Sequence, residues 1–152
     1  MKPENQPTFT VVERIYAELI RVKSEQNTVS YSDCFANAFN MPYEKKYCHL
    51  IQERKVVNNI PLILGEIGFV CNERGFPPLS CLVVNQARGQ CGNGVVVSNM
   101  NIPQSERPEF AEKIDLPAVY NCNNYPQPGS QEATDFLHLV MKRLSKNGLT
   151  RS

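Results

Sequence analysis

Pro77-Pro78-Leu79-Ser80-Cys81-Leu82-Val83-Val84-Asn85 is the stretch on which the fold class turns. The two prolines make a stiff extended connector, since each ring locks its φ. Leu79 to Val84 reads as a strand, apolar and ending on β-branched residues. Gly94-Val95-Val96-Val97 reads as a second strand. The residues between them, 85–93, carry Arg88, Gly89 and Gly92, and Gly94 follows. Glycines at this density predict a hairpin with a longer loop.

Helical patterns precede the hairpin. Over 8–25, Phe9, Val12, Ile15, Tyr16, Leu19 and Ile20 recur at helical spacing, and Thr10 with Glu13 has the form of a capping box. Thr28 to Tyr31 is a short extended piece. Ser32-Asp33 is suited to cap a two-turn helix whose apolar stripe is Cys34, Phe35, Ala38 and Phe39. Asn40-Met41-Pro42 closes it, because a residue before proline is pushed out of the helical region. A third helix spans 43–57, with Lys45, Lys46, Arg54 and Lys55 against Glu44 and Glu53. A fourth runs from Leu62 to Asn72 behind Asn58-Asn59 and Pro61; it is largely apolar, and Gly75 is its C-cap.

Beyond the hairpin the pattern thins. Residues 99–104 read as linker, 106–114 as a short helix, and 116–129 as ordered loop containing three prolines and three asparagines. Ser130 caps a last helix over 131–146, which Gly148 stops. Ala133, Phe136, Leu137, Val140 and Leu144 line one face, either to pack on helix 8–25 or to form a dimer seam. Its acidic residues lie early and its basic residues late, as the helix dipole favours. The expected architecture is therefore α+β: a winged-helix-like core over 8–98, with a hairpin wing, and a C-terminal extension over 99–152 within one domain. The state is monomer or homodimer.

Composition narrows the function classes. The chain of 152 residues carries 16 Lys+Arg and 15 Asp+Glu, a formal charge of +1, and 41% hydrophobic residues. That is enough apolar content for a core, and it leaves no strong global field to attract nucleic acid or an anionic membrane. Charge is even along the chain: nine basic and nine acidic residues in 1–75, seven and six in 76–152. No apolar run approaches bilayer length, so no membrane is expected. Met1 to Pro7 is polar and lacks a secretory h-region, which points to the cytoplasm. The six cysteines form no Cys-x-x-Cys pair, and Cys71, Cys81 and Cys91 lie ten apart. Reduced thiols are expected, with Cys34 and Cys48 as small buried hydrophobes. No H-E-x-x-H, G-x-S-x-G or P-loop pattern is present, so no metal, cofactor or catalytic residue is assigned.

Local residues add a resemblance. Val29-Ser30-Tyr31-Ser32-Asp33-Cys34-Phe35-Ala36 resembles the opening of the helix-turn-helix in O6-alkylguanine-DNA alkyltransferases and alkyltransferase-like proteins. Pro78 to Asn85 and the glycine-rich loop resemble their active-site segment and wing. The stretch 28–97 also resembles small bacterial and mobile-element proteins with a P-P-L-S-x-L-V-V-N…G-x-x-G-x-G signature. These resemblances cover about half the chain and imply a winged helix that binds DNA. Tyr31 then matches the tyrosine that helps rotate a nucleotide from the stack, or else it is a core aromatic.

Departures from the alkyltransferase pattern remove its chemistry. Ser80 stands where that family has its cysteine, and Cys81 where it has its histidine. No arginine occupies 58–62, where the family intercalates one. Helix 62–72 carries Glu66 and no Lys or Arg. The expectation is a non-catalytic module that binds duplex DNA through Tyr31, Lys45, Lys46, Arg54, Lys55 and Arg88. The alternative is a small accessory or inhibitor protein, of phage or mobile-element type, that binds a nucleic-acid enzyme.

Overall fold

The structure is a computed structural model that describes residues 9–40, 60–84 and 116–146. The expected helix 43–57, the loop and second strand of the hairpin, the segment 99–114 and Gly148 lie outside the described residues. Five helices and two short strands are described. They are α1 (Phe9–Ser24), β1 (Val29–Ser30), α2 (Tyr31–Phe39), α3 (Ile60–Glu73), β2 (Val83–Val84), α4 (Leu116–Asn121) and α5 (Gln131–Lys146). A 3-10 turn, Leu79–Leu82, leads into β2. The coarse α+β class holds, although the architecture is mostly helical.

Helix ends follow local chemistry. Gln26 takes the left-handed conformation after α1 (φ 52°), where the Asn27 N–H donates to the Val22 carbonyl (3.2 Å). Gly75 does the same after α3 (φ 76°). There the Phe76 N–H reaches the Cys71 carbonyl (2.8 Å) and the Gly75 N–H the Asn72 carbonyl (3.1 Å). This is the Schellman pattern, and glycine enters it without steric cost. At the start of α5, Ser130 Oγ accepts from the Ala133 N–H (3.1 Å), as its position predicts. Two expected caps move. α1 begins at Phe9, so Thr10 lies inside its first turn. Ser30, not Ser32 or Asp33, caps α2: its extended backbone lets Oγ accept from the Asp33 N–H (3.1 Å). Asn40 ends α2 in the left-handed region, which asparagine tolerates.

The wing reading changes most. Leu79 to Leu82 is not strand; the Cys81 N–H turns back to the Pro78 carbonyl (3.2 Å). All four of its side chains are buried, and so is Val83. The strand reading rests on composition, which a strand buried on both faces and a buried turn share. β2 pairs in parallel with β1, Val29 opposite Val83 and Ser30 opposite Val84. The β-structure described is thus a two-residue parallel clasp that ties the start of α2 to the end of the 3-10 turn. Nor is the segment after Leu116 all loop. Leu116–Asn121 is helical, since Pro117 in the first turn has no N–H to leave unpaired and Val119 is fully buried.

One core joins these elements. α5 packs on both α3 and α1 through Ala133, Phe136, Leu137, Val140 and Leu144, so its apolar face is used within the chain. Phe136 meets Tyr16 (ring centroids 5.3 Å). The Tyr16 hydroxyl donates to the Pro126 carbonyl, and the Tyr125 hydroxyl to that of Pro77, which pins 122–130 to the core. Burial pushes the Tyr16 and Tyr125 phenols above their usual range. The buried face of α1 is also rotated from the sequence reading and includes Glu18, 5% exposed. Arg21 grips this carboxylate with two bonds (2.6 and 2.9 Å), and Asn37 Nδ2 adds a third (2.8 Å). A buried charge needs such partners.

Candidate functional site

Five of the six residues assigned to DNA, namely Lys45, Lys46, Arg54, Lys55 and Arg88, lie outside the described residues. Tyr31 is described. It is the first residue of α2, half-buried and packed against the core. The structure therefore places Tyr31 as part of the core's edge.

Ser80, which the resemblance aligns with the alkyltransferase nucleophile, is fully buried in the 3-10 turn. Its Oγ has no hydrogen-bond partner among the described residues. Such a hydroxyl is out of reach of a DNA base, and it costs stability because its lost hydration is not replaced. Ser80→Ala is expected to stabilise the protein by about 1 kcal/mol, read as a raised urea midpoint at unchanged slope. Cys81 beside it is also buried, which agrees with a packing role.

The resemblance makes α3 the recognition helix, and its surroundings decide whether it has a face to offer. From Ile63 to Cys71 every residue is buried except Phe69, which is half-buried. Among the described side chains of α3, only those of the last turn, Asn72 and Glu73, are exposed. Glu66 is not a free surface charge: Arg143 of α5 donates to its carboxylate through Nε (2.9 Å). The same guanidinium lies over the Phe69 ring, 3.7 Å from its centroid. Arg74, just past α3, lies over Phe136 of α5 (5.6 Å). Thus α5 closes over α3 with an ion pair and two cation–π contacts.

Two surface hollows border this core. One is a groove of about 220 Å³ lined by Glu73 of α3 and by Leu139, Lys142, Arg143 and Lys146 of α5. The four α5 residues follow i, i+3, i+4, i+7 spacing and form a second stripe beside the buried one. From sequence the basic residues read only as partners of the helix dipole, and Leu139 went unassigned. Their common stripe was the available signal. The second hollow is equally large and is lined by Ile20, Lys23, Ser24, Cys122, Asn123, Tyr125 and Gln127.

Cys34, Cys71, Cys81 and Cys122 are free thiols. Burial pushes the Cys34 and Cys71 thiols up to about 12, so they remain protonated at neutral pH. Cys122 alone of the four is only half-buried. Brief iodoacetamide labelling of the native protein, mapped by peptide mass, should mark Cys122 and spare Cys34, Cys71 and Cys81 until denaturant is added. Among the described residues, no group of three or more His, Cys, Asp and Glu side chains is placed to hold a metal ion. No described helix is long and apolar enough to cross a membrane.

No family model, curated protein or solved structure matches the chain.

Proposed function

We propose that the protein is a binding domain whose partner is another protein, consistent with an accessory or inhibitor protein acting on a nucleic-acid enzyme. The observation that carries this reading is the burial of α3 from Ile63 to Cys71. A helix that reads the major groove must present three or four side chains to base edges. Here α5 covers α3 and holds its one interior carboxylate. A formal charge of +1 supplies no compensating attraction to phosphate. The domain acts by docking and is assigned no reaction, since Ser80 is sealed in the core.

Duplex binding through Tyr31, Lys45, Lys46, Arg54, Lys55 and Arg88 is the competing reading, carried by the resemblance over 28–97. Fluorescence anisotropy with labelled duplex and single-stranded DNA across a salt series separates the two. The protein-binding reading expects no association even at low salt. Tight binding that weakens linearly in log[salt] overturns it.

A further inference from the structure

We infer that the groove between the second half of α5 and the last turn of α3 is the docking surface, and that its occupant is an acidic segment of the protein partner carrying an apolar side chain beside its carboxylates. The inference rests on the protein-binding reading above and specifies the chemistry of the partner.

Three cations, Lys142, Arg143 and Lys146, face one carboxylate, Glu73, around the groove. Arg143 is already held by Glu66 and by the Phe69 ring, so its position is set before any partner arrives. Fixing a side chain in advance lowers the entropy cost of docking. Lys142 and Lys146 are exposed on either side of it. Leu139, one turn earlier on the same stripe, is 41% exposed, the one large apolar side chain so exposed among the described residues. Lysines at a helix C-terminus are explained by the dipole alone, and a single exposed leucine is ordinary by itself; it is their shared stripe around one groove that marks the surface.

The apolar member favours a peptide over a nucleic acid. A phosphate backbone gains nothing from Leu139, and Glu73 repels phosphate and carboxylate alike. A protein segment uses both, placing an aliphatic side chain on Leu139 and a backbone N–H or a basic residue near Glu73. The spacing also fits. Lys142 and Lys146 are separated by about 6 Å along the helix axis. Carboxylates two residues apart on an extended segment are separated by about 6.6 Å. The recognised pattern is an apolar residue with acidic residues within a few positions of it.

The test selects peptides from a phage-displayed random library on the wild-type protein, then measures the selected synthetic peptides by anisotropy. The variants are the K142E/K146E double mutant, Leu139→Ser, and Lys23→Glu at the second hollow as control. Circular dichroism verifies that each is folded; Leu139, Lys142 and Lys146 are exposed and Lys23 is half-buried. The selected peptides should be enriched in Asp and Glu around an apolar residue. K142E/K146E should weaken them by about tenfold or more, Leu139→Ser by roughly threefold, and Lys23→Glu not measurably. Selected peptides without acidic enrichment, or with affinities unchanged in K142E/K146E, would overturn the groove assignment while leaving protein binding intact. Labelled duplex DNA that binds the wild type and is lost in K142E/K146E would overturn both readings, because the groove would then be a phosphate contact.

Discussion

Replacing Ile67 by lysine is expected to leave the protein without a folded native state at 25 °C. Ile67 is fully buried in the middle of α3, with Leu64, Val70 and Cys71 buried around it. The substitution forfeits about 1.5–3 kcal/mol of side-chain burial. It also forces an ammonium into the core, or deprotonates it, at a further cost of several kcal/mol. The sum exceeds 4–5 kcal/mol, the range in which single substitutions become exceptional, and approaches the whole stability of an ordinary domain. Loss of near-ultraviolet circular dichroism and of a cooperative urea transition would report it. Glu73→Lys, in the exposed last turn of the same helix, should fold like the wild type. The pair also tests the competing view of α3. If it presented a groove-reading face at Ile67, a lysine there would be tolerated and would strengthen duplex binding. A folded I67K protein with raised affinity for duplex DNA would restore the recognition-helix reading.

Phe136→Ala carries the second large effect, about 3–5 kcal/mol of destabilisation. The ring is fully buried at the point where α5 meets α1 and α3. It touches Tyr16 from one helix and lies under the Arg74 guanidinium from the end of another. Truncation removes the transfer energy of the ring and leaves a cavity that three helices cannot collapse together to fill. In a chain of this length each kcal/mol lowers the melting temperature by about 2–4 °C, so a fall of about 6–20 °C is expected. His138→Ala is the matched control on α5. Its ring meets Phe9 (5.0 Å) but stands on the exposed side of the helix, so its removal should change stability by about 0.5 kcal/mol or less. Equal losses from the two substitutions would mean that α5 is not seated as described.

The two experiments probe features that were unequally legible. The buried face of α5, Ala133 to Leu144, is readable as a stripe because helical periodicity is local and strong. Its Ser130 cap is readable for the same reason: the hydroxyl and the amide it serves are three residues apart. The turn at Gly75 is readable because a left-handed residue after a helix selects glycine. Glu18 was not readable as buried, because the groups that hold it include Asn37 of another helix. The 3-10 turn was not readable either. Leu79 to Val84 has strand composition, which a buried turn shares, and the choice between them is made by neighbours distant in the chain. Helix α4 hides behind Pro117 and a run rich in asparagine. It forms where Val119 enters the core and where the Tyr120 hydroxyl donates to the Asn27 carbonyl (2.9 Å), a contact across 93 positions.

The candidate site follows the same division. Sequence alone determined that α3 is apolar and lacks basic residues, and that the charges of the chain balance. These are properties of residue type and spacing, and no fold is needed to read them. Only the tertiary structure decided what α3 does with its apolar surface. Closing α5 over it buries the helix, pairs Glu66 with Arg143 and leaves Leu139, Lys142 and Lys146 on the outer stripe. Periodicity states which side chains share a face, but not which neighbour that face meets. The neighbour is chosen by burial summed over residues distant in the chain, a quantity that no local window contains.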